Sequence, residues 1–274
     1  MRNETEKCIQ FLKEKYALDI SMYDDTFVER GIKIRMETTS CKTIDDYLLR
    51  LDIISNEVEK FLEQLANSYS EFFRNPLTFA YLEQTVLPTL MGQKIKNNEK
   101  EIRIWSAACA SGQEAYSLAI LCDEIIKATN TNITFRIFAT DINLTELANA
   151  QRGAFQSKCL CKVTLGRLQS YFTKRGEIYT IEPRLKDLVN FSIFDLLSEN
   201  RGCPPSSIYG NFDLVFCSNL MFYYKPEYQF RIVQKISHCL APDGFIITGE
   251  SEREIVKGNN FREVFVNSAI FKKH

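Results

Sequence analysis

Two histidines, His238 and His274, and a single tryptophan are all this 274-residue chain has of either. Zinc sites draw on clustered His and Cys. Here the nine cysteines are scattered, and the one C-x-C pair, Cys159 and Cys161, has no second cluster to complete a tetrahedron. We therefore expect no metal. Excess basic charge is also missing: the net charge is −1, which argues against a nucleic-acid partner. No apolar run approaches the roughly 20 residues that a membrane-spanning helix needs, so no membrane insertion is expected. The opening MRNETEKCIQ is too polar for the apolar stretch of a secretory leader. The expectation is a cytoplasmic chain with reduced thiols. Proline- or glycine-rich tracts and internal repeats are absent too, which leaves an ordinary globular composition with 45% hydrophobic and 25% charged residues.

The apolar residues that are present follow two rhythms. Over 1–66, Cys8, Phe11, Leu12 and Tyr16 form one face at helical spacing; Ile44, Tyr47, Leu48 and Leu51 form another, and Val58, Phe61, Leu62 and Leu65 a third. This predicts a small helical domain with a mild acidic excess. Pro76, Pro88 and a polar stretch at 93–101 break the pattern, so 67–100 is expected to be a linker with helical pieces. From 101 to 274, near-continuous apolar strands at 102–106, 133–139, 189–194, 213–217 and 244–249 alternate with helical runs at 113–128, 144–152 and 226–240. That alternation predicts a parallel sheet covered on both faces. FREVFVNSAIFKKH adds two short antiparallel strands at its edge, and 155–188 reads as a small insertion with its own hairpin.

Ligands of open α/β sheets bind beyond the carboxyl ends of the strands, near the point where strand order reverses. The first strand here runs into Ser106, Ala107, Ala108, Cys109, Ala110, Ser111 and Gly112, a corner small enough for a ligand to approach the backbone. The second strand ends in Asp141, placed to accept the two ribose hydroxyls of an adenosine cofactor. The third ends in Asp195, suited to an adenine amino group, and the fourth in CSNLMFYY, where Asn219 and the aromatics line the same crevice. The corner lacks the G-x-G-x-x-G fingerprint, and its helix opens with Gln113 and Glu114. A pyrophosphate prefers bare N–H groups there, whereas a carboxylate suits a sulfonium cation with an amino-acid tail. S-adenosylmethionine is therefore favoured over NAD.

SEFFRNPLTF, IWSAACASGQEAYSLAI, FATDIN, FDLVFCSNLMFYY and LAPDGFIITGESE, in that order along residues 5–272, resemble the chemotaxis receptor (CheR-type) protein-glutamate methyltransferases. The resemblance implies a class I S-adenosylmethionine-dependent methyltransferase fold: a Rossmann-like mixed sheet (101–274), an N-terminal all-α domain (1–66), a linker (67–100) and an inserted antiparallel β-subdomain (about 155–188). It implies cofactor contacts at Ser68, Ser70, Arg74, Glu114, Asp141, Asp195, Leu196, Ser218 and Asn219. The family usually has Asn at the positions of Ser68 and Asp195, Thr at Ser70, Arg at Ser218 and Glu at Gln113.

The implied reaction moves a methyl group from S-adenosylmethionine to glutamate carboxylates in the cytoplasmic domain of chemoreceptors, leaving S-adenosylhomocysteine. A glutamate acceptor, with an ordinary pKa of about 4.3, is already an anion at neutral pH and needs no general base. It needs orientation, and Arg74 and Tyr223 match the family's active-site arginine and tyrosine. Phe72 and Phe73 read as packing. The basic helix with which the family meets receptors would draw on Arg30, Lys33, Arg35 and Arg50. KRGEIYTIE is short and lacks the glycine-rich loop of members that tether to a receptor peptide, which implies a tether-independent enzyme. A monomer suffices. Three other readings stand beside this one: a module that binds the cofactor without turnover, a methyltransferase acting on another protein, and an enzyme of this fold acting on a small molecule.

Overall fold

The computed structural model describes residues 2–66, 69–129, 131–207 and 209–273. It divides into two units, Met1–Asn67 with Met221–Gln229, and Ser68–Leu220 with Phe230–His274.

The first unit is built on four helices, α1 (Arg2–Tyr16), α2 (Asp25–Thr39), α3 (Ile44–Ile53) and α4 (Glu57–Leu65). Local sequence sets their ends. Asp24 caps α2 by accepting from the N–H groups of Thr26 and Phe27, and Thr43 and Asp46 close a reciprocal capping box on α3. The periodic residues meet inside, with Cys8, Leu12, Val28, Tyr47, Leu51 and Phe61 all buried. Gly31 lets α2 and α4 approach closely, since a Cβ there would lie 2.8 Å from Leu65 Cδ2. Arg35 donates from Nε and Nη2 to the buried carboxylate of Glu57 at 2.9 and 2.8 Å, and the Tyr47 hydroxyl donates to it at 3.2 Å. Arg50 stands 3.9 Å from the same carboxylate. Arg35 and Arg50, expected to be available to a partner, are thus drawn to an internal charge. The segment Met221–Gln229 joins this unit: Asp24 N–H donates to the Tyr223 carbonyl at 2.8 Å, and the Tyr23 and Tyr224 rings stack at 5.1 Å.

The second unit opens with helix. Pro76 sits in the first turn of α5 (Pro76–Tyr81), where no N–H is needed. A π-helical turn over Leu82–Val86 then leads directly into α6 (Leu87–Lys96). The wider turn lies just ahead of Pro88, whose ring cannot fit a regular preceding turn, so the helix is widened there rather than broken. Phe79, Leu82, Val86, Leu87, Leu90 and Met91 are buried in the unit's main core. Much of the stretch expected to be a linker is therefore packed structure.

The seven-stranded sheet has the order β6-β2-β1-β7-β8-β10-β9. Its strands are β1 (Glu101–Ala107), β2 (Thr134–Asp141), β6 (Val189–Ile193), β7 (Phe212–Phe216), β8 (Leu240–Ile247), β9 (Phe261–Glu263) and β10 (Ile270–Lys273). The pairs β2–β6, β1–β2, β1–β7 and β7–β8 are parallel, and β10 runs antiparallel to both β8 and β9. Strand order reverses between β1 and β7, which fixes where a ligand crevice forms. The connecting helices are α7 (Gln113–Thr129), α8 (Leu144–Arg152) and α11 (Pro226–Cys239), with short α12 (Arg253–Lys257) beyond β8. Between α8 and β6 the chain makes a separate antiparallel sheet, β3-β5-β4, from Ala154–Gln156, Ile178–Ile181 and Phe172–Arg175. That segment also carries α9 (Leu165–Tyr171) and α10 (Pro183–Lys186). The insertion is thus a hairpin plus one further strand, β3, which the hairpin reading did not include.

Candidate active site

The corner between β1 and α7 turns through three left-handed residues, Ala108 (φ 59°), Ala110 (φ 46°) and Gly112 (φ 89°). Side-chain bulk is disfavoured in that region, so the small residues serve the turn as well as any ligand. Gly112 has a further reason: a Cβ would lie 2.9 Å from Ala150 Cβ on α8.

Asp141, the last residue of β2, holds this corner. Its Oδ2 accepts from Ala110 N–H at 2.8 Å and its Oδ1 from Asn143 N–H at 2.9 Å. A carboxylate has about four lone-pair sites, so two such bonds leave capacity for hydroxyl donors. Burial raises the Asp141 carboxyl above its ordinary range despite these bonds. Asp195 lies just past β6, exposed, and its carboxylate accepts from Leu197 N–H at 2.8 Å, with Leu196 buried beside it. The neighbouring Phe194 N–H donates to the Asp141 carbonyl at 3.0 Å, tying these two strand ends together.

Glu114 lies in the first turn of α7, and its Oε1 accepts from the buried Ser106 hydroxyl on β1 at 2.6 Å. Burial first, then the charge of Glu252, pushes this carboxyl up to about 8, against the opposing pull of the Ser106 hydrogen bond and the Arg74 charge. The shift favours the protonated acid over the carboxylate. Ser218 and Asn219 follow β7. Asn219 adopts φ 62°, and its amide donates to the Ser218 hydroxyl.

Arg74 lies on the strap leading into α5, close enough for its charge to act on Glu114. Its Nη1 donates to the Tyr69 carbonyl at 3.1 Å, and the guanidinium lies 5.2 Å from the centre of the Tyr69 ring. The strap is anchored on both sides. Phe72 is buried against Phe155 and Phe172, and Phe73, at φ 50°, donates its N–H to Ser117 Oγ at 3.0 Å. Lys162, from the inserted segment, donates to Glu71 at 2.6 Å and to the Arg74 carbonyl at 2.9 Å. Ser70 is half-buried on the same strap.

Arg74, Glu114, Asp141, Asp195, Leu196, Ser218 and Asn219 thus belong to one unit, on its neighbouring strand ends and the strap. Tyr223 falls in the other unit, its ring 4.6 Å from that of Phe27. Ser68 lies outside the described residues. Ser106, Lys162 and Glu252 were not among the expected site residues. Only Glu252 had a local signal, the G-x-x-E of GESE, which forms a helix-start motif around Gly249.

An acidic side chain with one hydroxyl partner beside a corner of small residues, with a second acid at the end of the next strand, fits an adenosine ligand that carries positive charge. Among the described residues no group of three His, Cys, Asp or Glu could hold a metal ion. The larger unit has the class I S-adenosylmethionine methyltransferase architecture.

Comparison with known proteins names the family. "CheR methyltransferase, SAM binding domain" matches residues 68–270, and "CheR methyltransferase, all-alpha domain" matches 3–66. The chain belongs to the CheR methyltransferase family and is an S-adenosylmethionine-dependent methyltransferase. It is 24% identical to a chemotaxis protein methyltransferase of Borreliella burgdorferi over 100% of this chain and 95% of that one. It is 30% identical to an uncharacterized 104.1 kDa protein of Rhodobacter capsulatus over 93% of this chain, which spans about a quarter (26%) of that relative's length. A probable biofilm formation methyltransferase, WspC, of Pseudomonas aeruginosa is 26% identical over 96% of this chain and 60% of its own.

Proposed function

We propose that this chain methylates glutamate side chains in the cytoplasmic domain of chemoreceptors, as a monomer in the cytoplasm, forming methyl esters. The observation that carries the reading is a single unit that joins a cation-seeking Glu114 to a strap-mounted Arg74, in a chain matching the chemotaxis enzyme of Borreliella burgdorferi along its full length. Bound S-adenosylmethionine supplies an electrophilic methyl group on a positively charged sulfur. Glu114 and Asn219 hold the amino-acid end, Asp141 accepts from the ribose, and Asp195 with Leu196 borders the adenine. Ser68, Ser70 and Ser218 complete the cofactor contacts. Arg74 orients the acceptor carboxylate by paired N–H donation. Because that acceptor is ionised at neutral pH, these residues have only to position it and exclude water.

Incubation with tritiated S-adenosylmethionine and receptor-containing membranes tests the reading. Base-labile label on a receptor band, lost with Arg74→Ala, is the expected result. Absence of label on any receptor overturns the acceptor. The likeness to WspC favours a second reading, the same chemistry on an acceptor protein of biofilm formation. Label confined to such an acceptor would select it.

A further inference from the structure

Glu252, in the 3-10 turn after β8 (Glu250–Glu252), has no exposed surface, yet its two carboxylate oxygens accept three backbone N–H groups. Oε2 takes Asn219 N–H at 2.7 Å and Gly249 N–H at 2.8 Å, and Oε1 takes Leu220 N–H at 2.7 Å. One side chain thus staples the end of β7 to the end of β8 and holds Asn219 in its left-handed conformation. Gly249 leaves room for the staple, since a Cβ there would lie 2.9 Å from Glu252 Oε2 and 3.1 Å from Asn219 Oδ1.

Three N–H donors favour the ionised carboxylate even when it is buried. Taking a carboxylate out of water is costly, and a neutral side chain bracing the same loop would avoid that cost. The carboxylate also stands at the edge of the cofactor site, its oxygens 2.7 Å from the backbone nitrogens of Asn219 and Leu220. We propose that Glu252 is a positioning residue that fixes the Ser218–Leu220 edge of the S-adenosylmethionine site and adds a negative field there. That field holds the cationic cofactor more tightly than the neutral thioether product. The inference rests on the site described above and is read without any acceptor.

Calorimetric titration of the full chain with S-adenosylmethionine and S-adenosylhomocysteine provides the test, using wild type, Glu252→Gln and Gly249→Ala. Gly249→Ala disturbs the staple but keeps the charge, so it should raise both dissociation constants by a similar factor. Glu252→Gln removes the charge, so it should weaken S-adenosylmethionine at least about five-fold more than S-adenosylhomocysteine. Equal weakening of both ligands by Glu252→Gln overturns the field. Should Glu252→Gln fail to fold, unchanged affinities in Gly249→Ala still overturn the positioning role. A wild-type chain that binds both ligands but labels no receptor overturns only the acceptor reading.

Discussion

Glu57 in the helical unit and Glu114 in the sheet unit are both carboxyl groups drawn away from water, but their partners differ. Glu57 receives a bidentate guanidinium from Arg35 and a hydroxyl from Tyr47, with Arg50 nearby. Glu114 receives one hydroxyl, from Ser106, and its carboxyl is pushed up to about 8. The helical unit supplies the cation that its buried acid needs. The sheet unit leaves its acid short of one, and a positively charged ligand can fill the deficit.

The largest effect expected from breaking this contrast is at the matched pair. Glu57→Ala strands Arg35 beside an apolar interior, and urea denaturation followed by circular dichroism should show a loss of about 3–5 kcal/mol. Glu114→Gln should act oppositely on stability and binding. An acid that ionises near its ordinary value when unfolded and near 8 when folded costs stability as pH rises between those values, because the folded state retains the proton. The variant escapes that loss, so at pH 9 it should melt above wild type and at pH 5 close to it. Its affinity for S-adenosylmethionine should fall about 10- to 100-fold, as for a lost hydrogen bond to a charged group.

Proton linkage sharpens the same point. Cofactor binding between pH 6 and 7 should release nearly one proton from Glu114, so affinity should rise up to about tenfold per pH unit and level off above pH 8. Titrations in buffers of different ionisation enthalpy measure the proton directly, and a pH-independent affinity would remove Glu114 from the cation's environment. The smallest change belongs to an exposed contact: Lys162→Met should lower kcat only two- to five-fold with little change in cofactor affinity, because exposed pairs contribute about 1 kcal/mol or less.

Much of the sheet was legible because buried parallel strands are written as continuous apolar runs; 102–106 and 213–217 differ from β1 and β7 by only a residue or so at each end. The strand-end acids were legible for the same reason, since they end those runs. Residues 76–96 were not, because a local pattern shows where Pro88 stands but not the π turn that accommodates it. Nor could periodicity show that Arg35 and Arg50 turn to Glu57, a residue on another helix. The G-x-x-E signal shows Glu252 only at its own turn; its second role was hidden by distance, because the N–H groups of Asn219 and Leu220 that it satisfies lie 33 and 32 positions earlier in the chain.

The membership of Met221–Gln229 in the helical unit bears on the order in which the protein is made. The four helices leave the ribosome before the last segment of their unit, which follows Asn67 by 154 residues. At roughly 5–20 residues per second, that is a delay of about 8–30 s. During that interval Tyr23 lacks the ring of Tyr224, and Asp24 N–H lacks the Tyr223 carbonyl. A nascent chain stalled before residue 221 should therefore expose its α1–α2 connection to protease, and one released after residue 229 should protect it.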